Sequence, residues 1–431
     1  MLLVSASPTL IGVIKNPATA PLFVARVVGS TGDGYGQLAL AWGAMHLGHG
    51  PAGMSLVVAC KAFPALLVLA GGVLGDRFRR HTVLAGAELL AASSWAALAV
   101  CFLTGQASLW VVCVLALLAG TARAVFMPAE RGIVADLVTP QRRQAANALL
   151  NQSNAAGLLI GQASSGIVIA AAGPGWAAAI EAAASLIAAL LLTRLRTPVW
   201  RADTSGTLKE LRAGWREFTA YRWVWLLTLQ FTAVLVAVVA FNAVIGPLYS
   251  EHGHGGSRAW GIITAVEAVG AFLGAVIAAR WRSAHPVVAC ALLPATAAVP
   301  MLLMGLGVSW PVLAAVMLLP GICQTIYAVL WWTTIQHAFP SHVLARVNSW
   351  TVLGGFALTP AAALAAGPLT GVIGAQQAAA GAAVLIAAAT VITLSALCLR
   401  GTAGPGAREV LDGQEVGARQ AAPVGSNGAR L

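Results

Sequence analysis

The stretch GGVLGDRFRRH, Gly71 to His81, sets four charges within five residues of a chain that otherwise uses them sparingly. Lys61 is the last charge before it and Glu88 the next one after it, so apolar sequence runs up to the knot and away from it. Three glycines lead in. This pattern reads as a short loop between two long apolar helices, held at a membrane surface by its arginines.

The composition agrees. Soluble chains are about 45–50% apolar and about 25% charged. This one is 59% hydrophobic and 9% charged over 431 residues, with a mean hydropathy of +0.82. So few charges could not cover a water-facing surface of that size, which makes the bilayer the solvent. A spanning helix needs roughly 20 mainly apolar residues. Twelve such runs are found, at 22–47, 53–75, 82–104, 108–130, 147–171, 176–196, 223–249, 258–279, 286–306, 311–337, 347–371 and 375–399. The N-terminal stretch MLLVSASPTLIGVIKNP has no basic leader region, so no cleaved signal peptide is expected.

Arginine and lysine fix the expected orientation. With a cytoplasmic N-terminus, the inside receives Lys15, the Arg77, Arg79 and Arg80 knot, Arg142, Arg143, seven basic residues from Arg194 to Arg222, Arg280, Arg282, Arg346 and the tail; the outside receives only Arg258. That asymmetry follows the positive-inside rule and places both termini in the cytoplasm of a multi-pass cell-membrane protein. Trp110, Trp176, Trp260 and Trp310 open helices 4, 6, 8 and 10 and are expected at one interface, with Trp223, Trp281 and Trp350 at the other. The net charge of +11 is then loop arginine facing anionic lipid rather than a nucleic-acid site. All six cysteines fall inside expected helices without CxxC spacing, so neither disulfide nor metal chemistry is expected of them. EHGHGG (Glu251 to Gly256) offers two histidines and lacks the further ligands of a metal site.

Signals recur about 200 residues apart. LVTPQRRQAANA before helix 5 parallels HAFPSHVLARVNS before helix 11, and GVLGDRFRR after helix 2 parallels AVIAARWRS after helix 8. Two parallel six-helix repeats are the expected architecture, an all-α membrane fold. The units are an N-terminal half (1–196), a cytoplasmic linker (197–222), a C-terminal half (223–400) and a disordered tail (401–431). In the linker Thr207 and Glu210 fit a capping box, and Leu208, Leu211, Trp215 and Phe218 recur at the spacing of an amphipathic surface helix.

This arrangement resembles the major facilitator superfamily. The knot matches that family's loop G-x-L-a-D-r-x-G-r-r/k at Gly72, Leu74, Gly75, Asp76, Arg77 and Arg80, with Arg79 in place of the later glycine. ARVVGSTGDGYGQLALAW, LRAGWREF and WWTTIQHAFPSHVLARVNSW resemble boxes of the bacterial drug-exporter branch that includes macrolide efflux proteins and the enterobactin exporter. The helix 5 antiporter motif g-x-x-x-G-P-x-x-G-G departs here, with Gln162 for the proline and Ser165 for a glycine among Gly157, Gly161 and Gly166. The resemblance implies that Gly72, Asp76, Arg77 and Arg80 gate the cytoplasmic side. Asp76 would meet the start of helix 11 near Val347 and Asn348, and the arginines would meet Glu130 or Asp136 at the end of helix 4. The same knot would also serve simply to orient the chain.

Charges inside helices each cost roughly 2.5–3.5 kcal/mol at mid-bilayer on insertion scales. Asp33 in helix 1 and Arg123 in helix 4 read either as a proton-carrying acid with its cationic partner or as an ion pair that fixes packing; Lys61 and Glu267 are further candidates. Glu88 and Glu181 are expected to reach the interface from near helix ends. Gln37, Gln230, Asn242, Gln324, Tyr327 and Trp331 read as a mixed polar and aromatic cavity wall. GxxxG spacing in helices 2, 5, 8 and 11, including Gly157/Gly161 and Gly270/Gly274, reads as the seam between halves, with Gly166 beside it.

No lysine stands in a G-K-[ST] context, which excludes a nucleotide-driven pump in this chain. All eight histidines fall in loops or at helix ends, which argues against an intramembrane enzyme. The expected function is proton-coupled efflux of a small, partly hydrophobic compound, with import by the same fold as the alternative. No cofactor or metal is expected; the partners are a small-molecule substrate and the lipid bilayer, with no nucleic acid, and the chain is expected to act as a monomer.

Overall fold

The structure, a computed structural model, describes residues 19–67, 79–139, 142–197, 215, 218–251, 253–278, 280–281, 283–339, 350–351, 354–355 and 357–398. Its elements among these residues are helical, as they must be where no water can satisfy backbone groups. In chain order they are α1 Ala20–His46, α2 Gly50–Ala62 with a tight turn Phe63–Leu67, α3 Arg80–Thr104, α4 Leu109–Leu137, α5 Arg143–Ala172 and α6 Pro174–Leu192. The second half holds α7 Arg222–Glu251, α8 Gly256–Ala278, α9 Pro286–Gly305, α10 Trp310–Ala338, α11 Thr359–Ile373 and α12 Ala375–Cys398. Nine of the described helices are long and apolar enough to cross a membrane by length and composition. Large apolar side chains such as Leu89, Val100, Val372, Val391 and Ile392 point outward, where a soluble protein would be polar.

Two helices depart from regular geometry. α7 carries a π-helical turn at Phe241–Ile245, and α9 is interrupted at Thr296–Ala297, just after Pro294. Proline also lies inside α4 (Pro128) and α10 (Pro320), where it removes one backbone donor from the ladder.

Glycine decides how closely α1 is surrounded. A Cβ on Gly34 would stand 2.7 Å from the Gln162 backbone nitrogen of α5, one on Gly36 would stand 2.7 Å from the Trp95 ring of α3, and one on Gly32 would collide with Glu181 of α6. Gly157 and Gly161 close the same α1–α5 contact from the other side, against Val27, Ser30 and Thr31. Gly270 and Gly274 lie against Leu318, Gly321 and Ile322 of α10. These four glycines therefore pack helices within a half, which corrects their reading as the seam between halves. A GxxxG pair records that something approaches closely without naming what.

The halves meet where α5 packs on α8 and α2 on α11. Gly166 faces the Ser257 carbonyl and Gly261, and the Ser257 hydroxyl donates to the Gly166 carbonyl at 3.3 Å. Gly367 faces Pro51 and Ser55, and its amide donates to the Ser55 hydroxyl. Trp42 Nε1 of α1 donates to Glu251 of α7 at 2.7 Å. All three contacts lie toward the end of the bundle where α1 joins α2 and α7 joins α8, hereafter the Trp42 end. At the opposite end, Arg80 donates to the Gly132 carbonyl at 3.0 Å and to Asp136 at 2.9 Å. That pair ties α3 to α4 within one half.

Trp110 and Trp176 are exposed, but Trp260 is buried, edge-on to Phe241 and filling the space left by Gly246. It is a core residue rather than an interface anchor. Arg80 is one-fifth exposed while the Asp136 side chain is covered. Asp136→Asn is therefore expected to cost about 1–3 kcal/mol by replacing a charge-assisted bond with a neutral one. Thermal unfolding in detergent checks this; an unchanged midpoint contradicts it.

Candidate functional site

The core of α1 brings together most of the intramembrane charge. Arg26, only 3% exposed, reaches in three directions. Its Nη2 lies 3.8 Å from Asp33 Oδ2 and donates to Asn154 Oδ1, which also accepts from the Ser30 hydroxyl at 2.9 Å. Its Nε stands 2.8 Å from Glu130 Oε1 without the alignment of a hydrogen bond. Arg123 of α4 approaches the same Asp33 oxygen, at 3.5 Å. Both guanidinium groups lie near the Phe126 ring, at 5.4 Å and 5.6 Å. Asp33 and Arg123 are each about one-third exposed, so they form the accessible face of a network in which Arg26 and Ser30 are buried.

Behind α1 lie two more carboxyls. Glu88 of α3 lies beside Gly29. Glu181 of α6 lies against Gly32, and its Oε2 has no hydrogen-bond partner. Both are buried, which corrects their reading as side chains that reach the interface: the α1 glycines give them room inside the bundle. Lys61 of α2 sets its ammonium 4.9 Å from the Trp95 ring centre and acts electrostatically on Glu181 and Asp33. Three cations and four carboxyls thus share one buried region, and such a group in hydrocarbon marks function more often than packing.

A cavity of about 650 Å³ opens between the halves. Gln37, Trp42, Lys61, Arg123 and Gln162 line it from the first half, and Asn242, Trp260, Glu267 and Gln324 from the second. Gln162 donates to Gln37 Oε1 at 3.1 Å. The side chain that departs from the helix 5 motif therefore sits in the cavity wall.

The expected site residues divide. Asp33, Arg123 and Lys61 come together, and Gln37, Asn242, Glu267 and Gln324 share the cavity. Gln230 does not join them: it is buried and donates to the Ala291 carbonyl at 2.7 Å and the Thr390 hydroxyl at 3.0 Å. Tyr327 and Trp331 also lie away from it, in an aromatic stack with Phe231 and Trp223. None of these three lines the cavity; Trp331 shares the helix face of Gln324 but sits about two turns further along α10. Gly72, Asp76 and Arg77 lie outside the described residues, as do Val347 and Asn348, most of the linker and the tail. Arg26, Asn154, Glu130 as its partner, and Gln162 were not recognisable as site members from the sequence; a charge so near the start of α1 reads as an interfacial one.

A sequence profile described as Major Facilitator Superfamily matches residues 22–363. No curated protein sequence matches the chain. Among solved structures, the chain is similar to a bacterial homolog of the human lysosomal transporter Spinster in an inward-facing, unoccupied conformation, with 15% identity, a TM-score of 0.66, and coverage of 93% of this chain and 99% of that one. It is also similar to the nucleoside transporter NupG, with 13% identity, a TM-score of 0.70, and coverage of 88% and 99%.

Proposed function

The chain belongs to the major facilitator superfamily, and from that premise we propose that it is a proton-coupled secondary transporter exporting a small, partly hydrophobic compound. Drugs, antibiotics and siderophore-like metabolites are the cargo classes suggested by its resemblance to the drug-exporter branch. The observation that carries the reading is Asp33 held between Arg26 and Arg123, the second of which lines the cavity. A carboxyl in that position changes its electrostatic balance whenever the α1–α4 contact tightens or opens, so proton occupancy and conformation are linked. The cavity supplies the cargo path, and the three contacts at the Trp42 end supply a gate. With the arginine-rich loops in the cytoplasm, that gate is the external one, and this conformation presents the cavity inward. The proton gradient is the energy source and no cofactor takes part.

Import by the same machinery is the competing reading, favoured by Gln162 where the antiporter motif places proline. Vesicles of inverted orientation, with an imposed proton gradient and a panel of labelled antibiotics and siderophores, separate the two. Export predicts accumulation inside inverted vesicles when their lumen is acidic; import predicts that the same gradient empties them. Flux indifferent to the gradient would contradict both.

A further inference from the structure

Glu267 and Asn242 form an acceptor pair on the second-half wall of the cavity that no side chain among the described residues completes. Asn242 belongs to the π-helical turn of α7, a distortion that re-aims side chains and recurs at functional sites. Its Nδ2 lies 3.5 Å from Glu267 Oε2, at the far limit of a hydrogen bond. Its Oδ1 is buried and accepts nothing. An ionised carboxylate only accepts, and an amide oxygen carries two lone pairs, so the pair presents acceptors short of donors. An orphaned buried acceptor costs about 1–3 kcal/mol, more for a charged group, and so needs a reason to be kept.

The surroundings say what the missing donor is. The pair sits at the mouth of an apolar recess walled by Phe241, Met301 and Met317, and Asn242, Glu267 and Gln324 border both the recess and the large cavity. Among the described residues of α7–α12, the other Arg, Lys, Asp and Glu side chains are Arg222, Glu251, Arg258 and Arg280, all at or near helix ends. The cations on the facing wall are engaged elsewhere, Arg123 with Asp33 and Lys61 with Trp95. A bare metal ion would require six or more oxygen ligands in a hard shell, whereas this wall offers few oxygens beside thioethers and a phenyl ring. A cation that is both a hydrogen-bond donor and apolar on its remaining faces fits instead.

We propose that Glu267 and Asn242 bind a protonated amine nitrogen of the cargo. The ammonium donates to Glu267 and to Asn242 Oδ1, and its carbon substituents lie in the large cavity that both residues line, because the recess of about 10 Å³ beside Phe241 admits no more than a water-sized group. This rests on the cavity being the cargo path, and it narrows the cargo to amphiphilic amines. Leu38, Val58, Val238 and Val239 of the cavity lining favour the apolar substituents, and the carboxylate selects against neutral and anionic compounds of the same shape.

The test is equilibrium binding, without any gradient, to the full chain in lipid nanodiscs, read from cavity tryptophan fluorescence. The probes are naphthylmethylamine, whose primary ammonium carries the two donors the pair needs, and its neutral isostere, in which carbon replaces the nitrogen. The amine is expected to bind about tenfold or more tightly than the isostere. Glu267→Gln should remove that preference while leaving isostere binding unchanged. Asn242→Asp, which adds a second carboxylate at the orphaned position, should strengthen amine binding. Equal affinities for the two probes in the wild-type chain, failure of the amine to bind, or a preference that survives Glu267→Gln would overturn the proposal. If Glu267→Gln does not fold, the sign of the Asn242→Asp effect decides. Failure of the transport reading is distinguishable, because it appears as absent gradient-driven flux whatever the amine preference in nanodiscs.

Discussion

Vesicles carrying Asp33→Asn are expected to let cargo equilibrate but never to concentrate it. Asparagine preserves the shape beside Arg26 and Arg123 and removes the group that changes protonation. In the wild-type chain, one proton exchanged per cargo molecule allows about a tenfold concentration ratio for each pH unit imposed. In the variant that ratio should fall to unity while cargo binding persists. The loss separates coupling from packing. A carboxyl that merely fixed α1 against α4 would, when replaced, lower thermal stability and slow flux in both directions without uncoupling it. Accumulation at the wild-type rate would remove Asp33 as proton carrier and leave Glu267 as the next candidate.

A comparable loss is expected from Gly166→Trp, for a different reason. Even a Cβ at this position would stand 2.9 Å from the Gly261 Cα and closer still to the Ser257 carbonyl. Backbone cannot yield there as a flexible side chain would. A full indole between α5 and α8 must part the halves at the Trp42 end. Overpacking a close contact costs about 1–3 kcal/mol, occasionally more, and about 2.7 kcal/mol, half of what a full 1:99 to 99:1 reversal needs, suffices to move an even two-state balance to 99:1. Transport should fall to the order of 1% of wild type, and a cysteine at Gln37 should become reactive to reagents entering from the Trp42 end. Gly371→Trp is the control, because a Cβ there meets nothing within 4 Å. A Gly166→Trp protein whose Gln37 cysteine stays closed to that side would contradict the assignment of the gate.

The twelve helices could be read directly, because uninterrupted apolar length is a constraint that lipid imposes on each segment separately. Which face of each helix meets which neighbour is a property of the assembled bundle, and here sequence reading fell short. Tyr327 and Trp331 lie on α10 as Gln324 does, yet only Gln324 reaches the cavity. Gly157 and Gly161 show close approach in any sequence reading, but α1 rather than α8 is what approaches. Glu88 and Glu181 look like interfacial acids until the glycines of α1 are seen to leave them space. The π turn at Asn242 has no residue pattern to announce it, since FNAVI would continue an α-helix equally well. Arg26 carries no signal of its own, because a basic residue near a helix start is ordinarily a lipid-headgroup anchor.

The central claim, that a proton on Asp33 sets which end of the cavity is closed, can be measured without knowing the cargo. Spin labels at Gly48 and Ser309 span the halves at the Trp42 end, and labels at Thr139 and Ala284 span them at the other, all four positions being exposed. In a nanodisc-embedded chain whose native cysteines are replaced, pulsed electron–electron distances are recorded across the range in which carboxyls titrate. The two distances are predicted to change together in opposite senses, with Asp33→Asn holding both at one value throughout. Distances that are independent of pH in the wild-type chain, or that shift equally in Asp33→Asn, would contradict it.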